Sequence, residues 1–261
     1  MESTTRASKR RRTSSQSLKP EPKEVINDEN LPEEEEEDGE EMAAHIDSSE
    51  KGKKDISSPV IVFAHGAGAP SSSDWMVRWK KMLQKALNAV EVVTFDYPYI
   101  AGGKRKAPPK AEKLVEFHTD IVRKTVAKYT GHPLILVGKS MGSRVSCMVA
   151  NGEDVDAMGI ICLGYPLKGM NGAVRDETLL QLKVPVMFVQ GTKDGFCPLE
   201  KLDAVRKKMN AVSELHVIEG GDHSFKISKK HLQSSGATQD AAEDHAIQSI
   251  TTFVFNLLKD R

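Results

Sequence analysis

The pentapeptide Gly138-Lys139-Ser140-Met141-Gly142 ends an apolar run, Leu134 to Val137, and opens a helix-spaced run, Met141 to Ala150. No other feature constrains the fold as much. The chain must turn from strand to helix within a few residues. Such a reversal holds the serine in a strained backbone conformation, and side chains on either flank would collide. Glycine at both 138 and 142 removes those collisions and leaves a hydroxyl presented at a helix N-terminus. The Lys-Ser pair also suggests a phosphate-binding loop. That motif requires glycine at position 133, which is Pro133, and places flexible loop where Leu134 to Val137 reads as strand. Nucleotide binding at this point is therefore excluded.

The surrounding pattern alternates strands with helices. Val60 to Ala64 is a continuous apolar run, as in a strand buried on both faces. Trp75, Trp79, Met82, Leu83, Ala86 and Leu87 share a helical stripe. Further strands are expected at Val90–Phe95, Leu134–Val137, Ile160–Leu163, Val186–Val189 and Leu215–Ile218. Helices are expected over Ala111–Tyr129, Met141–Ala150, Leu199–Met209 and Ala241–Leu258, with a short one around Glu177–Leu182. About six strands alternating with helices imply an α/β three-layer sandwich around a mainly parallel sheet. There is no internal repeat.

The alternation begins at Pro59, so residues 59–261 are read as one domain, long enough for a full core. Residues 1–58 hold too few apolar side chains to offset ordering entropy and are expected to be disordered. Here the overall charge misleads. The chain has 37 basic and 37 acidic residues, which taken together exclude a strongly basic nucleic-acid binder. Yet residues 1–23 carry +5, residues 24–50 carry −13 and residues 51–58 carry +2, leaving +6 for the domain. Lys9-Arg10-Arg11-Arg12 reads either as a nuclear import signal or as a solvated charge run. The acidic run Glu33 to Glu41 reads as an interaction segment or a solubilising one. The basic residues at the start are followed by no apolar stretch, so a secretory signal is not expected. No run of 18 apolar residues suggests a membrane helix. Cys147, Cys162 and Cys197 have no regular spacing and read as free thiols of a reducing compartment. Cytoplasmic or nuclear placement is expected.

In a parallel sheet, ligands bind outside the carboxyl ends of the strands, so the residues just after each strand carry the functional information. Ser140 follows one strand. Asp194 follows another, in Gly191-Thr192-Lys193-Asp194, and His223 a third, in Gly220-Gly221-Asp222-His223. The order Ser, Asp, His is that of one class of triad hydrolases. A serine hydroxyl needs an adjacent base. Ser140 is thus the candidate nucleophile, His223 the base, and Asp194 the group that fixes the imidazole tautomer. His118, His132, His216 and His245 fall within elements or at the wrong sheet end. His231 lies in a polar segment, Lys226 to Gln239, expected to be loop, and is a remote alternative base. His65 is expected to shape its glycine turn. The oxyanion donors are expected to be the N–H groups of Met141 and Ala67, with Gly66 as the neighbour, in the glycine-rich His65-Gly66-Ala67-Gly68-Ala69. Neither a metal nor an organic cofactor is expected.

These residues resemble the α/β-hydrolase fold. More narrowly, Phe63-Ala64-His65-Gly66-Ala67-Gly68, Phe95-Asp96-Tyr97-Pro98-Tyr99, Gly102 to Pro109 and Val137 to Gly142 are similar to the group formed by testis-expressed protein 30 and the hydrolase-like domain of subunit 3 of the non-specific-lethal histone acetyltransferase complex. The resemblance spans roughly residues 58–258 and implies a dienelactone-hydrolase-like fold with triad positions at Ser140, Asp194 and His223. It also implies a rival to catalysis, a hydrolase-fold scaffold in a nuclear assembly.

Between Leu167 and Val184 there is room for only one short helix, so no lid domain and an open, shallow site are expected. Lys104, Arg105 and Lys106 fall in a loop expected to overhang the site, with Lys139 beside Ser140 and Tyr97 nearby. They are read either as an anion-focusing patch or as a solvated loop. The expected activity is hydrolysis of small or anionic esters, thioesters or amides. Any protein partner is expected to engage the charged tail; neither nucleic acid nor membrane is expected as a partner.

Overall fold

Val60 to Ala64 forms β1 (Val60–Ala64), and none of its five side chains reaches solvent. The reason is that helices cover the sheet on both sides. Val60, Val62 and Ala64 face one core cluster, while Ile61 and Phe63 face the other. Fully burying each of the larger side chains is worth about 1.5–3 kcal/mol. The computed structural model describes residues 58–103, 106–169 and 172–259. The expected disordered tail, with its basic cluster and acidic run, lies outside the described residues apart from Ser58.

Five more strands complete the sheet: β2 (Glu91–Phe95), β3 (Leu134–Lys139), β4 (Gly159–Leu163), β5 (Val186–Gly191) and β6 (Ser213–Ile218). All pairs are parallel, in the order β2-β1-β3-β4-β5-β6. On one face pack α1 (Asp74–Ala86), through Met76, Trp79 and Leu83, and α7 (Gln239–Lys259), through Ala246, Ile250, Phe253 and Val254. The other face carries α2 (Val115–Lys128), α3 (Met141–Ala150), α4 (Glu177–Leu180) and α5 (Leu199–Arg206). The three-layer α/β sandwich expected from the alternation is what the chain forms.

The chain leaves β1 for α1 on one face and β3 for α3 on the other. Since β1 and β3 are neighbours, their connections diverge and open a crevice at their carboxyl ends. Ser140 stands at that switch point.

Element boundaries differ from expectation for physical reasons. β3 runs on through Gly138 and Lys139, which pair with Cys162 and Leu163 of β4. β6 starts two residues early, at Ser213, because an edge strand alternates exposed with covered positions and its first residues lack an apolar signature. The Lys226–Gln239 segment is not all loop. It contains α6 (Lys229–Ser235), started by the Ser228 hydroxyl accepting from the His231 N–H and closed by Gly236 at φ 68°. No α6 residue is buried, so no apolar stripe announced it. The expected helix at Ala111 begins as a 3-10 turn, Ala111–Leu114, before α2. Among the described residues no helix is long and apolar enough to cross a membrane.

Candidate active site

Ser140 has φ 52° and ψ −115°, a conformation that L-residues avoid. Holding it there costs on the order of 1–3 kcal/mol, so the surroundings must over-determine it. They do so from both sides. The Ser140 N–H donates to the Leu163 carbonyl of β4 at 3.0 Å, and its own carbonyl accepts from Ser143 N–H at 3.0 Å and Ser143 Oγ at 2.6 Å. A Cβ on Gly138 would lie 2.3 Å from Ser143 N, and one on Gly142 would lie 2.5 Å from Ala64 O. Gly138 is therefore required where β3 folds back under the start of α3, and Gly142 where α3 packs against the end of β1.

The other two loops meet by the same device. A Cβ on Gly191 would lie 2.2 Å from Gly221 O, so only glycine lets the end of β5 approach the loop after β6. Lys193 N–H donates to Gly221 O at 2.8 Å and Thr192 N–H to Ile218 O at 3.1 Å, locking the loops together. Asp222 shapes the second loop, its Oδ1 accepting from Ser224 N–H at 2.8 Å and Lys226 N–H at 3.0 Å.

This brings together the three residues singled out from sequence. His223 Nε2 lies 2.8 Å from Ser140 Oγ, and His223 Nδ1 lies 2.7 Å from Asp194 Oδ2. The Asp194 side chain has no solvent exposure, that of His223 about 23%. Asp194 Oδ1 accepts from Phe196 N–H at 2.8 Å, and Oδ2 also accepts from Gln190 Nε2. Burial alone would raise the carboxyl pKa. The bond to and charge of His223, the Phe196 N–H and the Lys139 charge outweigh it and hold the pKa below its ordinary value. Asp194 is thus an ionised acceptor at neutral pH.

The expected oxyanion donors face the same cavity, which is lined by Gly66, Ala67, Ser140 and Met141. The Met141 N–H is at the N-terminus of α3 and has no intrahelical acceptor. His65 orders the opposing loop: its Nε2 accepts from Tyr97 N–H at 3.0 Å, so the proton sits on Nδ1, which donates to Gly66 O at 2.6 Å. Burial lowers its pKa and keeps the ring neutral. Tyr99 Oη donates to the same loop, 3.2 Å from Ala67 O and 3.3 Å from Gly66 O. Turning these carbonyls toward Tyr99 and His65 leaves the loop's N–H groups free for the cavity.

Two of the proposed substrate contacts, Tyr97 and Lys106, are placed otherwise, and a third, Lys139, lines the cavity with its charge engaged. Tyr97 is fully buried, with its hydroxyl 3.1 Å from His118 Nδ1, so it supports the loop from behind; the tyrosine that touches the oxyanion loop is Tyr99. Lys139 is not a free charge beside the nucleophile. Its Nζ donates a hydrogen bond to the His223 carbonyl and lies 5.2 Å from the Trp75 ring centre and 5.0 Å from that of Phe225. Gly164, at φ 69°, leaves the room for it. Lys106 is exposed and is not among the residues lining the cavity. Lys104 and Arg105 lie outside the described residues.

Burial lowers the Lys139 pKa to about 8, against the raising effect of Asp194 and Asp222. Between about pH 8 and the ordinary 10.5, the unfolded chain holds this proton and the folded chain has released it. The burial penalty is relieved across that window, so stability rises with pH. Urea melts should show the wild type gaining stability relative to Lys139→Met from pH 8 to 10.5, and a flat difference would refute the assignment.

The cavity in front of Ser140 measures about 940 Å³. Among the described residues, the segment from 167 to 184 carries only the four-residue α4 and no lid. Pro108, Pro109 and Lys110 line the groove, as do Pro166, Arg175 and Phe196. The Phe196 ring is 55% exposed and sits 4.8 Å from the His223 ring. Sequence reasoning missed Trp75, Phe196, Arg144 and Arg175 as lining residues. For Arg144 a signal existed, since it lies four residues after Ser140, one helical turn along the same face.

The family model described as alpha/beta hydrolase domain matches residues 57–255. Among solved structures, an esterase of Pyrococcus furiosus is 15% identical, with a TM-score of 0.59 over 77% of this chain and 85% of its own. A monoacylglycerol lipase of Paleococcus ferrophilus is 15% identical, TM-score 0.56, over 77% of this chain and 96% of its own. A dienelactone hydrolase of Anabaena variabilis is 17% identical, TM-score 0.51, over 71% and 84%. At these identities the likeness is one of fold.

Proposed function

Because the chain belongs to the alpha/beta hydrolase family, we propose that it is a serine hydrolase cleaving a carboxylic ester, thioester or amide through an acyl-enzyme on Ser140. The observation that carries this reading is the unbroken chain of hydrogen bonds from Ser140 Oγ through His223 to Asp194. Esterase and lipase neighbours of the same fold are consistent with it.

The steps follow from the geometry. Ser140 Oγ attacks the scissile carbonyl carbon while its proton passes to His223 Nε2. Asp194 stabilises the imidazolium, and its bond to Nδ1 keeps the ring aimed. The carbonyl oxygen becomes an oxyanion received by the N–H groups of Met141 and Ala67, with Gly66 beside them. Collapse breaks the bond to the leaving group, which takes the proton from His223. Water then attacks the acyl-enzyme by the same route, releasing acid and regenerating Ser140. The substrates are small molecules or ones bearing a negative group, and the charged tail is the segment offered to a protein partner in the cytoplasm or nucleus.

Covalent labelling by a fluorophosphonate tests the nucleophile. The full chain should label, and Ser140→Ala should not. A folded wild type that fails to label would exclude the mechanism and leave the scaffold reading, with similarity to the non-specific-lethal complex subunit, in its place.

A further inference from the structure

Arg144 and Arg175 both line the cavity that Ser140 opens into, and neither is used by the steps above. Arg144 rises from α3 one turn beyond the nucleophile, so its base lies about 6 Å from Ser140 along the helix. Its side chain is only 15% exposed. Its Nε is buried without a hydrogen-bond partner among the described residues; besides the neutral Tyr165 hydroxyl, the guanidinium meets Glu112 in an ion pair, Nη2 to Oε1, that is long at 3.3 Å. The Glu112 side chain is 59% exposed, so that carboxylate compensates the guanidinium weakly. A partly buried guanidinium with an idle donor is costly to maintain without an anion to receive it.

Arg175 lines the same cavity from the segment before α4. Its backbone is fixed at both ends: its N–H donates to Leu167 O at 2.8 Å, and its carbonyl accepts from Tyr165 Oη at 3.2 Å. Burial first, and then the charge of Arg144, lower its pKa from the ordinary value. Two guanidinium groups close enough to repel each other are thus held facing one cavity. Lys110 and Glu112 are the other charged residues of this wall besides Lys139, whose ammonium is engaged elsewhere. The balance at the subsite is positive.

We propose that Arg144 and Arg175 form an anion subsite that selects substrates with a carboxylate a few bonds from the scissile carbonyl, such as monoesters or monothioesters of short dicarboxylic acids. The inference rests on the serine hydrolase reading and assigns its anionic preference to these two arginines, not to the lysine loop. A carboxylate there accepts from both guanidinium groups and displaces the Glu112 contact. The proposed substrate carries two or three methylene groups between that carboxylate and the carbonyl at Ser140. The apolar wall of Trp75, Met76 and Phe196 receives the leaving group.

The test compares mono-p-nitrophenyl glutarate with p-nitrophenyl butyrate on the full chain. The ratio of their kcat/KM values should favour the glutarate ester. It should fall about 10- to 100-fold in Arg144→Gln and in Arg175→Gln, the worth of one charge-assisted hydrogen bond, with partial recovery in Arg175→Lys. An unchanged ratio in both glutamine variants, in a wild type that labels with fluorophosphonate, overturns the subsite and leaves the hydrolase standing. Equal loss on both esters assigns the arginines a merely structural role and also overturns it. If the wild type neither labels nor turns over either ester, the hydrolase reading fails, and the subsite is judged by binding alone. Free glutarate should then still raise the melting temperature of the wild type and not of Arg144→Gln; no rise in the wild type rejects the subsite. A larger preference for an ester carrying phosphate than for the glutarate ester would replace carboxylate by phosphate as its ligand and reject the proposal as stated.

Discussion

Asp194→Asn is expected to lower kcat/KM by about 10⁴-fold while the protein stays folded. The carboxylate is surrounded by three donors: His223 Nδ1, Gln190 Nε2 and Phe196 N–H. An asparagine of the same size must turn its NH₂ toward one of them. If it faces His223, the ring is driven to carry its proton on Nε2, 2.8 Å from Ser140 Oγ. A protonated Nε2 cannot take the serine proton. If the amide turns the other way, two N–H groups confront each other inside a buried site. The first arrangement is the less costly, since His223 has a second tautomer and Gln190 can turn its amide to offer the unpaired Oε1, whereas Phe196 N–H has no alternative. Steady-state kinetics on any turned-over ester, with the rate of fluorophosphonate labelling, measures the effect. A loss under tenfold would mean that Ser140 and His223 suffice and that Asp194 only braces its loop. Circular dichroism melts separate loss of chemistry from loss of fold.

The second large effect is expected at Gly142, where a change of one methyl group should cost both stability and activity. An alanine Cβ would lie 2.5 Å from Ala64 O and 2.6 Å from His65 O. Both oxygens are backbone, and β1 lies inside the sheet between β2 and β3, so neither can give way cheaply. We expect Gly142→Ala to destabilise by about 3 kcal/mol, the upper end of overpacking costs, and to lower Tm by about 6–12 °C. Activity should fall further than folding does, because relieving the clash pushes the start of α3 away from β1. That moves Met141 N–H from the Ala67 loop and opens the oxyanion site. Gly195→Ala is the matched control, since nothing lies within 4 Å of its added Cβ, and should melt like the wild type. A Gly142→Ala protein with wild-type Tm and turnover would mean that the turn tolerates a side chain and that the glycine has no packing role.

How far the sequence could be read depended on whether a residue's role followed from backbone period or from tertiary packing. The apolar runs and the two glycines around Ser140 follow from local sterics, so the parallel sheet and the turn were legible, while the strand order was not. Asp194 and His223 were found because their loops leave the same sheet edge. Side-chain direction was harder. Lys139 is two residues from Val137 and four from Ile135, and strand parity points all three toward one core. A charge adjacent to the nucleophile drew attention to its sign and away from that parity. Tyr97 and Tyr99 differ only in which side of the loop they face, a choice made by His118 behind one and by Gly66 and Ala67 in front of the other. Arg175 was invisible as a lining residue because its place depends on the bridge between Lys168 and Val174, which no local signal announces.

The bond from Lys139 to the His223 carbonyl ties together the residues on either side of the proposed proton transfer. The residue before Ser140 carries the loop of His223, so the two cannot drift apart without breaking a buried charge-assisted bond. The arrangement sets robustness against alignment. A buried ammonium is a liability to the fold, and a long apolar side chain would fit among Trp75 and Phe225 without it. Selection of random variants for heat tolerance alone would therefore enrich apolar replacements at position 139, and selection for turnover would remove them. The site is kept in register by a residue the fold would be better off without.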